Sequence, residues 1–256
     1  MLTDNTGIRV DFEFDNMFSG QAPFVLRGDI DNLTSSYYQL RGILPKILGE
    51  NIPESIQKLG QFTVRGDVEV TETSIDATVN LNTAMGDSYV DLQMTNIQAI
   101  EDASYIGFIS LMDFDIGNFI NDDQLGLTSL DMNVEGKGFV AESLNTEVRG
   151  EIYKLEYNNY EYNKIKVSGI LKDQLFDGIL LCNDDNFRFD FKGLADFGGR
   201  ENKFNFIAAV DYADLKKLNF INDSISIFKG HINMDIEGNN LDDMVGQMNF
   251  TNTTYQ

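Results

Sequence analysis

Residues Phe62-Thr63-Val64-Arg65-Gly66-Asp67-Val68-Glu69-Val70 alternate between apolar and polar, with one departure. Successive side chains of a strand point to opposite faces, so this stretch reads as a strand with one greasy and one wet surface. The departure is Gly66, which stands where the alternation calls for an apolar residue. Both features recur along the chain. Ile8, Val10, Phe12 and Phe14 alternate with Arg9, Asp11, Glu13 and Asp15, and Ile75, Ala77, Val79 and Leu81 continue the rule. Val90, Leu92 and Met94 follow it, as do Leu130, Met132 and Val134 against Asp131, Asn133 and Glu135. Phe187, Phe189 and Phe191 oppose Arg188, Asp190 and Lys192, and Ile232, Met234 and Ile236 oppose Asn233, Asp235 and Glu237. Period-two patterning of this extent predicts an all-β chain, antiparallel in type, with one-sided amphipathic strands joined by Asn/Asp/Gly turns.

The glycine recurs at the equivalent place in strand after strand. Gly28 lies between Leu26 and Ile30, Gly150 between Val148 and Ile152, and Gly169 between Val167 and Leu171. Gly178 lies between Phe176 and Leu180, Gly230 between Phe228 and Ile232, and Gly246 between Met244 and Met248. Counting by twos puts all of them, with Gly66, on the greasy face. Glycine within a strand marks a bend, a bulge or a close approach. A shared face predicts a sheet that curls toward its apolar side, with gaps beside the remaining side chains.

Helical spacing is confined to short pieces. Ile43, Leu44, Ile47, Leu48, Ile52, Ile56 and Leu59 fit helices between Leu40 and Leu59, with Pro45 and Pro53 in first turns. One-turn pieces are expected near Asp115–Asn121, Tyr212–Leu218 and Leu241–Val245. There is also an internal echo. Asp113–Phe119 precedes the alternating Leu130–Gly136, and Asp211–Leu218 precedes the alternating Ile232–Gly238. A repeat of a helical turn feeding a strand suggests a modular array.

Composition narrows the function classes. The chain has 256 residues, is 42% hydrophobic and 23% charged, and carries a formal net charge of −22. That charge repels nucleic-acid backbones and anionic headgroups, so nucleic acid is not an expected partner. With three prolines there is no Pro-rich linker, and with one cysteine no internal disulfide or Cys-rich zinc site. No apolar run reaches membrane-spanning length, and Met1–Asn5 does not open a signal peptide. Strand-like alternation runs almost to Gln256, so the chain is read as a stretch of a longer protein.

The material for catalysis is poor. His231 follows Gly230 in a strand pattern with no nucleophile motif beside it, and Cys182 reads as a strand-end residue. Asp122-Asp123, Asp184-Asp185 and Asp242-Asp243 lack calcium-loop spacing and suit turns. A glycosidase carboxylate pair would lack tryptophan for sugar stacking. Arg27-Gly28-Asp29 and Arg65-Gly66-Asp67 lie within strands, where an integrin-type tripeptide cannot protrude. Asn32-Leu33-Thr34 and Asn222-Asp223-Ser224 match a glycosylation sequon that arises often by chance. No catalytic residue, metal site or cofactor is assigned.

A one-sided sheet must be covered. A dozen strands would form a wall roughly 60 Å long, far more than the Leu40–Leu59 segment can shield. Periodicity alone cannot choose among three answers, a two-sheet sandwich, a closed barrel, or an open trough filled by a ligand, and rates the two-sheet core about level with the trough.

The glycine row and the repeat favour the trough. Lys172-Asp173-Gln174-Leu175-Phe176-Asp177-Gly178, Phe189-Asp190-Phe191-Lys192-Gly193-Leu194-Ala195-Asp196-Phe197, Tyr212-Ala213-Asp214-Leu215, Asp223-Ser224-Ile225-Ser226, Met234-Asp235-Ile236-Glu237-Gly238-Asn239 and Leu241-Asp242-Asp243-Met244-Val245-Gly246 carry a family likeness. The run from Gly169 to Gln256 resembles the C-terminal part of the AsmA/TamB-like translocation and assembly proteins of Gram-negative bacteria. Asn145–Gly150 and Tyr157–Tyr160 fit the same picture, and the first third matches only in texture. The resemblance implies a β-taco, a U-shaped groove, with residues 1–256 as one continuous segment carrying a short helical insertion near 40–60. It implies a periplasmic location, with the full protein anchored in the inner membrane. It also implies an outer-membrane barrel partner of the BamA/TamA class, contacted through parts outside this chain, and a role in outer-membrane assembly. The expected ligand is a phospholipid or other lipid, with Val64, Val68, Leu130, Met132, Phe189, Ile232 and Met234 as wall residues. The alternatives are a β scaffold with a dry core and a closed barrel carrying one small hydrophobic ligand.

Overall fold

The computed structural model describes residues 7–15, 25–43, 54–99, 102–138, 143–224, 226–239 and 243–256. They form a single sheet of 14 strands in sequence order, each antiparallel to the next. The strands are β1 (Gly7–Asp15), β2 (Val25–Ser36), β3 (Gln61–Thr71), β4 (Ser74–Thr83), β5 (Gly86–Thr95), β6 (Ser104–Asp115) and β7 (Leu125–Lys137). They continue as β8 (Asn145–Tyr157), β9 (Tyr160–Lys172), β10 (Leu175–Asn183), β11 (Phe187–Asp196), β12 (Lys203–Asp214), β13 (Ile227–Glu237) and β14 (Val245–Tyr255). The sheet is open: β1 and β14 are its two edges and do not pair with each other. It is therefore neither a closed barrel nor two separate sheets, and the all-β, elongated, repetitive reading holds.

Among the described residues helical structure is small. Helix α1 spans Tyr37–Ile43, a 3-10 turn spans Glu54–Leu59, and helix α2 spans Ile116–Ile120. Of the expected helices between Leu40 and Leu59, the described residues contain the end of α1 and the 3-10 turn; residues 44–53, with Pro45 and Pro53, lie outside the described residues. The expected piece at Leu241–Val245 is corrected at its end, because Val245 opens β14; Leu241 and Asp242 lie outside the described residues.

The echo in the sequence is an echo in the backbone. Strands β6 and β12 each carry one extra residue against the following strand, between Leu111 and Phe114 and between Val210 and Ala213. Each then ends at an aspartate that caps a helical turn. Asp115 accepts from the Asn118 amide at 3.0 Å, and Asp214 accepts from the Lys217 amide at 3.2 Å. This is the N-cap interaction, which satisfies an amide the turn leaves free. Strand β2 has the same bulge, between Ile30 and Leu33, before α1. Bulges bend a strand and increase its twist; each of these turns follows an even-numbered strand of the antiparallel order, so all three leave the sheet at the same rim, here called the connector rim. The opposite, turn rim carries the β3–β4, β5–β6, β7–β8, β9–β10, β11–β12 and β13–β14 connections.

The connector rim is held by a chain of polar contacts. Lys58 Nζ donates to the Asn118 and Phe119 carbonyls at 3.0 and 2.8 Å and to Asn121 Oδ1 at 2.6 Å. The Asn158 amide nitrogen donates to the Gln124 carbonyl at 2.9 Å. Asn158 and Asn219 exchange side-chain-to-carbonyl bonds at 3.0 and 3.1 Å. Lys58 and Asn158 each reach a connector four strands further along. Apolar residues are packed under this rim: Leu59, Phe62, Met85 and Phe114 in one cluster, and Tyr162, Ile165, Cys182, Val210, Ala213 and Leu218 in another. Leu218 is 0% exposed.

Candidate ligand trough

Residues opposite each other in an antiparallel ladder lie on the same face, so the pairings can be followed across the sheet. One central rung runs Ile30, Gly66, Val79, Val90, Ile109, Met132, Gly150, Val167, Leu180, Phe191, Ala208, Ile232, Phe250. The next, toward the turn rim, runs Gly28, Val68, Ala77, Leu92, Gly107, Val134, Val148, Gly169, Gly178, Gly193, Phe206, Met234, Met248. Every position on both is apolar or glycine. The rung at the turn rim, from Leu26 to Gly246, departs only at Thr146, whose hydroxyl bonds Tyr105 Oη on the same face. The rung toward the connector rim, from Leu33 to Gly230, departs only at Ser88.

The wall residues expected from sequence all lie on this face. Met132 and Ile232 are on the first central rung, Val68 and Met234 on the second, and Val64, Leu130 and Phe189 on the rung toward the connectors. Phe189 stacks on Phe187 with ring centroids 5.0 Å apart inside the connector-rim packing. The glycines share the face too: Gly66 and Gly150 on the first rung, Gly28, Gly169 and Gly178 on the second, Gly246 on the turn-rim rung and Gly230 on the connector-side rung.

The expected gaps beside those glycines are largely filled. A methyl at Gly66 or Gly150 would overlap the backbone carbonyl of Thr78 or Asp131 on the adjoining strand. Gly66 also has φ +133°, a conformation essentially confined to glycine. These residues permit close approach of backbone, not a pocket. At Gly169 and Gly178 a methyl would come within 2.9 and 2.8 Å of the Phe176 ring, which lies across both. At Gly230 a methyl would meet nothing closer than Thr253 Oγ1 at 3.1 Å, the end of a side chain rather than backbone.

Several lining residues were missed by reading the sequence. Gly107, Gly136 and Gly193 share the rungs and follow the same spacing rule. The aromatics Phe176, Phe191, Phe204 and Phe206 line the C-terminal half, with Phe191 and Phe206 centroids 4.9 Å apart. Alternation signals their face but not their contacts.

Charge belongs to the other surface. Arg27 Nε and Glu69 Oε2 pair at 2.7 Å, Tyr153 Oη donates to Asp131 at 2.8 Å, and Lys154 Nζ meets Asp113 at 3.1 Å. Open clefts of about 650 and 500 Å3 also lie there, the first lined by Asp91, Gln93, Glu135, Glu147 and Arg149, the second by Ile179, Leu181, Asp190, Ile207 and His231. His231 lies on this polar surface, with Nδ1 3.3 Å from Asn252 Nδ2. Cys182 lies on the trough face, where burial raises its thiol pKa. The two are on opposite sides of the sheet and form no Cys–His pair. Among the described residues no group of three or more His, Cys, Asp or Glu could hold a metal. None of their helices is long and apolar enough to cross a membrane.

One tyrosine cluster closes the connector rim. Tyr160 Oη donates to the buried Asp184 Oδ1 at 2.5 Å, and the Tyr160 and Tyr162 rings meet edge-on with centroids 4.7 Å apart. Burial, then the bond to Asp184, pushes the Tyr160 pKa up to about 12; burial also raises that of Tyr162.

Compared with protein-family models, curated proteins and solved structures, the chain matches none.

Proposed function

We propose that the chain is a segment of a lipid conduit of the AsmA/TamB-like kind, in which the apolar face shields acyl chains passing between the inner and outer membranes. One observation carries the reading: the central rungs run from β2 to β14 without a polar side chain, in a protein of net charge −22. A lone amphipathic sheet of this length in water needs an apolar partner on that face. Burial stabilises by about 0.8 kcal/mol per methylene, so carrying a sixteen-carbon chain through water costs on the order of 12 kcal/mol. A wall of aliphatic and aromatic side chains removes most of that barrier, and the absence of a polar anchor allows sliding. The headgroup stays in water at the lip. On this reading the segment works in the periplasm, as part of a protein anchored in the inner membrane. The full protein meets a BamA/TamA-class barrel through parts outside this chain. The N-terminal half supplies the specific observation behind a second reading, a dry structural scaffold, because Met132, Val134 and Val148 are buried there by the protein's own packing.

Transfer of a fluorescent phosphatidylcholine between vesicles tests the proposal. The chain is expected to accelerate transfer, and Met234→Asp, at a half-exposed wall position, is expected to abolish the acceleration while keeping the β spectrum. Equal acceleration by a folded Met234→Asp would contradict it.

A further inference from the structure

The trough's two halves differ in their cover. On the central and turn-rim rungs of β3 to β8, Val70, Val79, Tyr105, Met132, Val134 and Val148 are all buried. Two features seal this half at the turn rim. The β5–β6 connection tucks Ile97 and Ala103 inward, its Ile97 amide bonding the Thr73 carbonyl at 3.4 Å and its Ala103 carbonyl accepting from Gly138 at 2.9 Å. The bond between Tyr105 and Thr146 crosses above Gly136 on the intervening strand. From β9 to β14, Ala208 is the only buried residue on the same rungs among those described. Here the described turn rim is the two-residue Asp173-Gln174 turn, the Phe197–Asn202 connection and the ends of the β13–β14 connection, where the Gly238 amide bonds the Asn202 carbonyl at 2.9 Å. Apolar side chains reach water along it: Leu171 is 38% exposed and Phe197 53%, with Phe197 edge-on to Phe204 at 5.4 Å. The opposite rim of this half is shut by the clasp of Asn158 on Asn219 and by the buried Leu218.

Resting on the lipid-binding reading above, we infer that an acyl chain at rest lies in the β9–β14 half of the trough, and that it enters across the turn rim at Leu171, Phe176, Phe204 and Ile236. The chain's methyl end then points toward the sealed connector rim, and any polar headgroup stays outside the turn rim. The occupant is a neutral hydrocarbon chain, because the rungs of this half carry no charged residue while the charge lies on the reverse surface. The β3–β8 half, packed on itself when empty, continues the wall and is crossed only in transit.

Photolabelling decides it. The purified chain is incubated with a sixteen-carbon fatty acid carrying a diazirine in its acyl chain, irradiated, and digested for peptide mapping. Label is expected on trough-face residues of β9–β13, at least about tenfold above β3–β8, with Phe204→Asp cutting the yield about tenfold by setting a charge at the mouth. Label spread evenly over both halves, or concentrated in β3–β8, overturns the placement and leaves the lipid reading standing. Label absent from the trough face, or confined to the polar surface, overturns both.

Discussion

Replacing Gly66 by alanine, and separately Gly230, sets two glycines of one face against each other. Both read alike in sequence, yet they differ in space. Alanine at Gly66 must adopt φ near +133° and overlaps the Thr78 carbonyl and the Val79 backbone. A residue held in such a region costs about 1–3 kcal/mol, and forcing extra volume into packed backbone adds about 1–3 kcal/mol. The expected loss is about 2–6 kcal/mol. At Gly230 the nearest atom is the side-chain end Thr253 Oγ1 at 3.1 Å, with Phe228 Cζ and Thr253 Cα at an ordinary 3.4 Å, and no positive φ is required. There the change is expected within about 1 kcal/mol of wild type, offset in part by the lower entropy of the unfolded alanine chain. Urea unfolding followed by far-ultraviolet circular dichroism reads the difference as a midpoint fall on the order of 1 M for Gly66→Ala against almost none for Gly230→Ala. Equal falls, or a Gly66→Ala midpoint at the wild-type value, would refute the close-approach argument.

Two more expectations concern the connector rim. Lys58→Ala removes three bonds to the end of α2, where a cation both caps carbonyls and offsets the helix dipole. The amides of α2 and the turn after it are expected to exchange hydrogen about tenfold faster, at a cost of about 1–2 kcal/mol; unchanged exchange would show that the clasp is idle. Tyr160 has a folded-state pKa of about 12, above its ordinary value of 10.0. Its contribution is therefore complete below pH 10 and is lost as pH climbs from 10 toward 12. An absorbance titration of the phenolates is expected to place one tyrosine near that upper limit, and Asp184→Asn is expected to bring it down; an unmoved midpoint in the variant would remove Asp184 from the account.

The alternation made the strands legible because a side-chain period of two leaves a direct mark in sequence. Phe62 to Val70 lies within β3, and the rule carries to Ile232–Ile236 in β13. The shared face of the glycines was legible for the same reason. Their role was not, since alternation gives a side chain's face but neither its φ nor its distance to the next strand. Gly66 and Gly230 are indistinguishable on that count. The difference between the two halves of the trough was equally hidden. It arises where Ile97 and Ala103 are buried and bonded to Thr73 and Gly138, and where Tyr105 reaches Thr146, contacts between residues far apart in the chain. Capping left a clearer trace: Asp115 and Asp214 each precede a short turn, and that local chemistry underlies the echo visible in the sequence.

Native mass spectrometry of the chain, purified from a bacterial host without detergent, addresses the trough itself most directly. A series of peaks offset by the masses of several different phospholipids is the outcome the account predicts, since a wall of side chains without a polar anchor holds many acyl chains and prefers none. A single bare mass that persists after incubation with phospholipid vesicles would contradict it and leave the sheet as a dry scaffold.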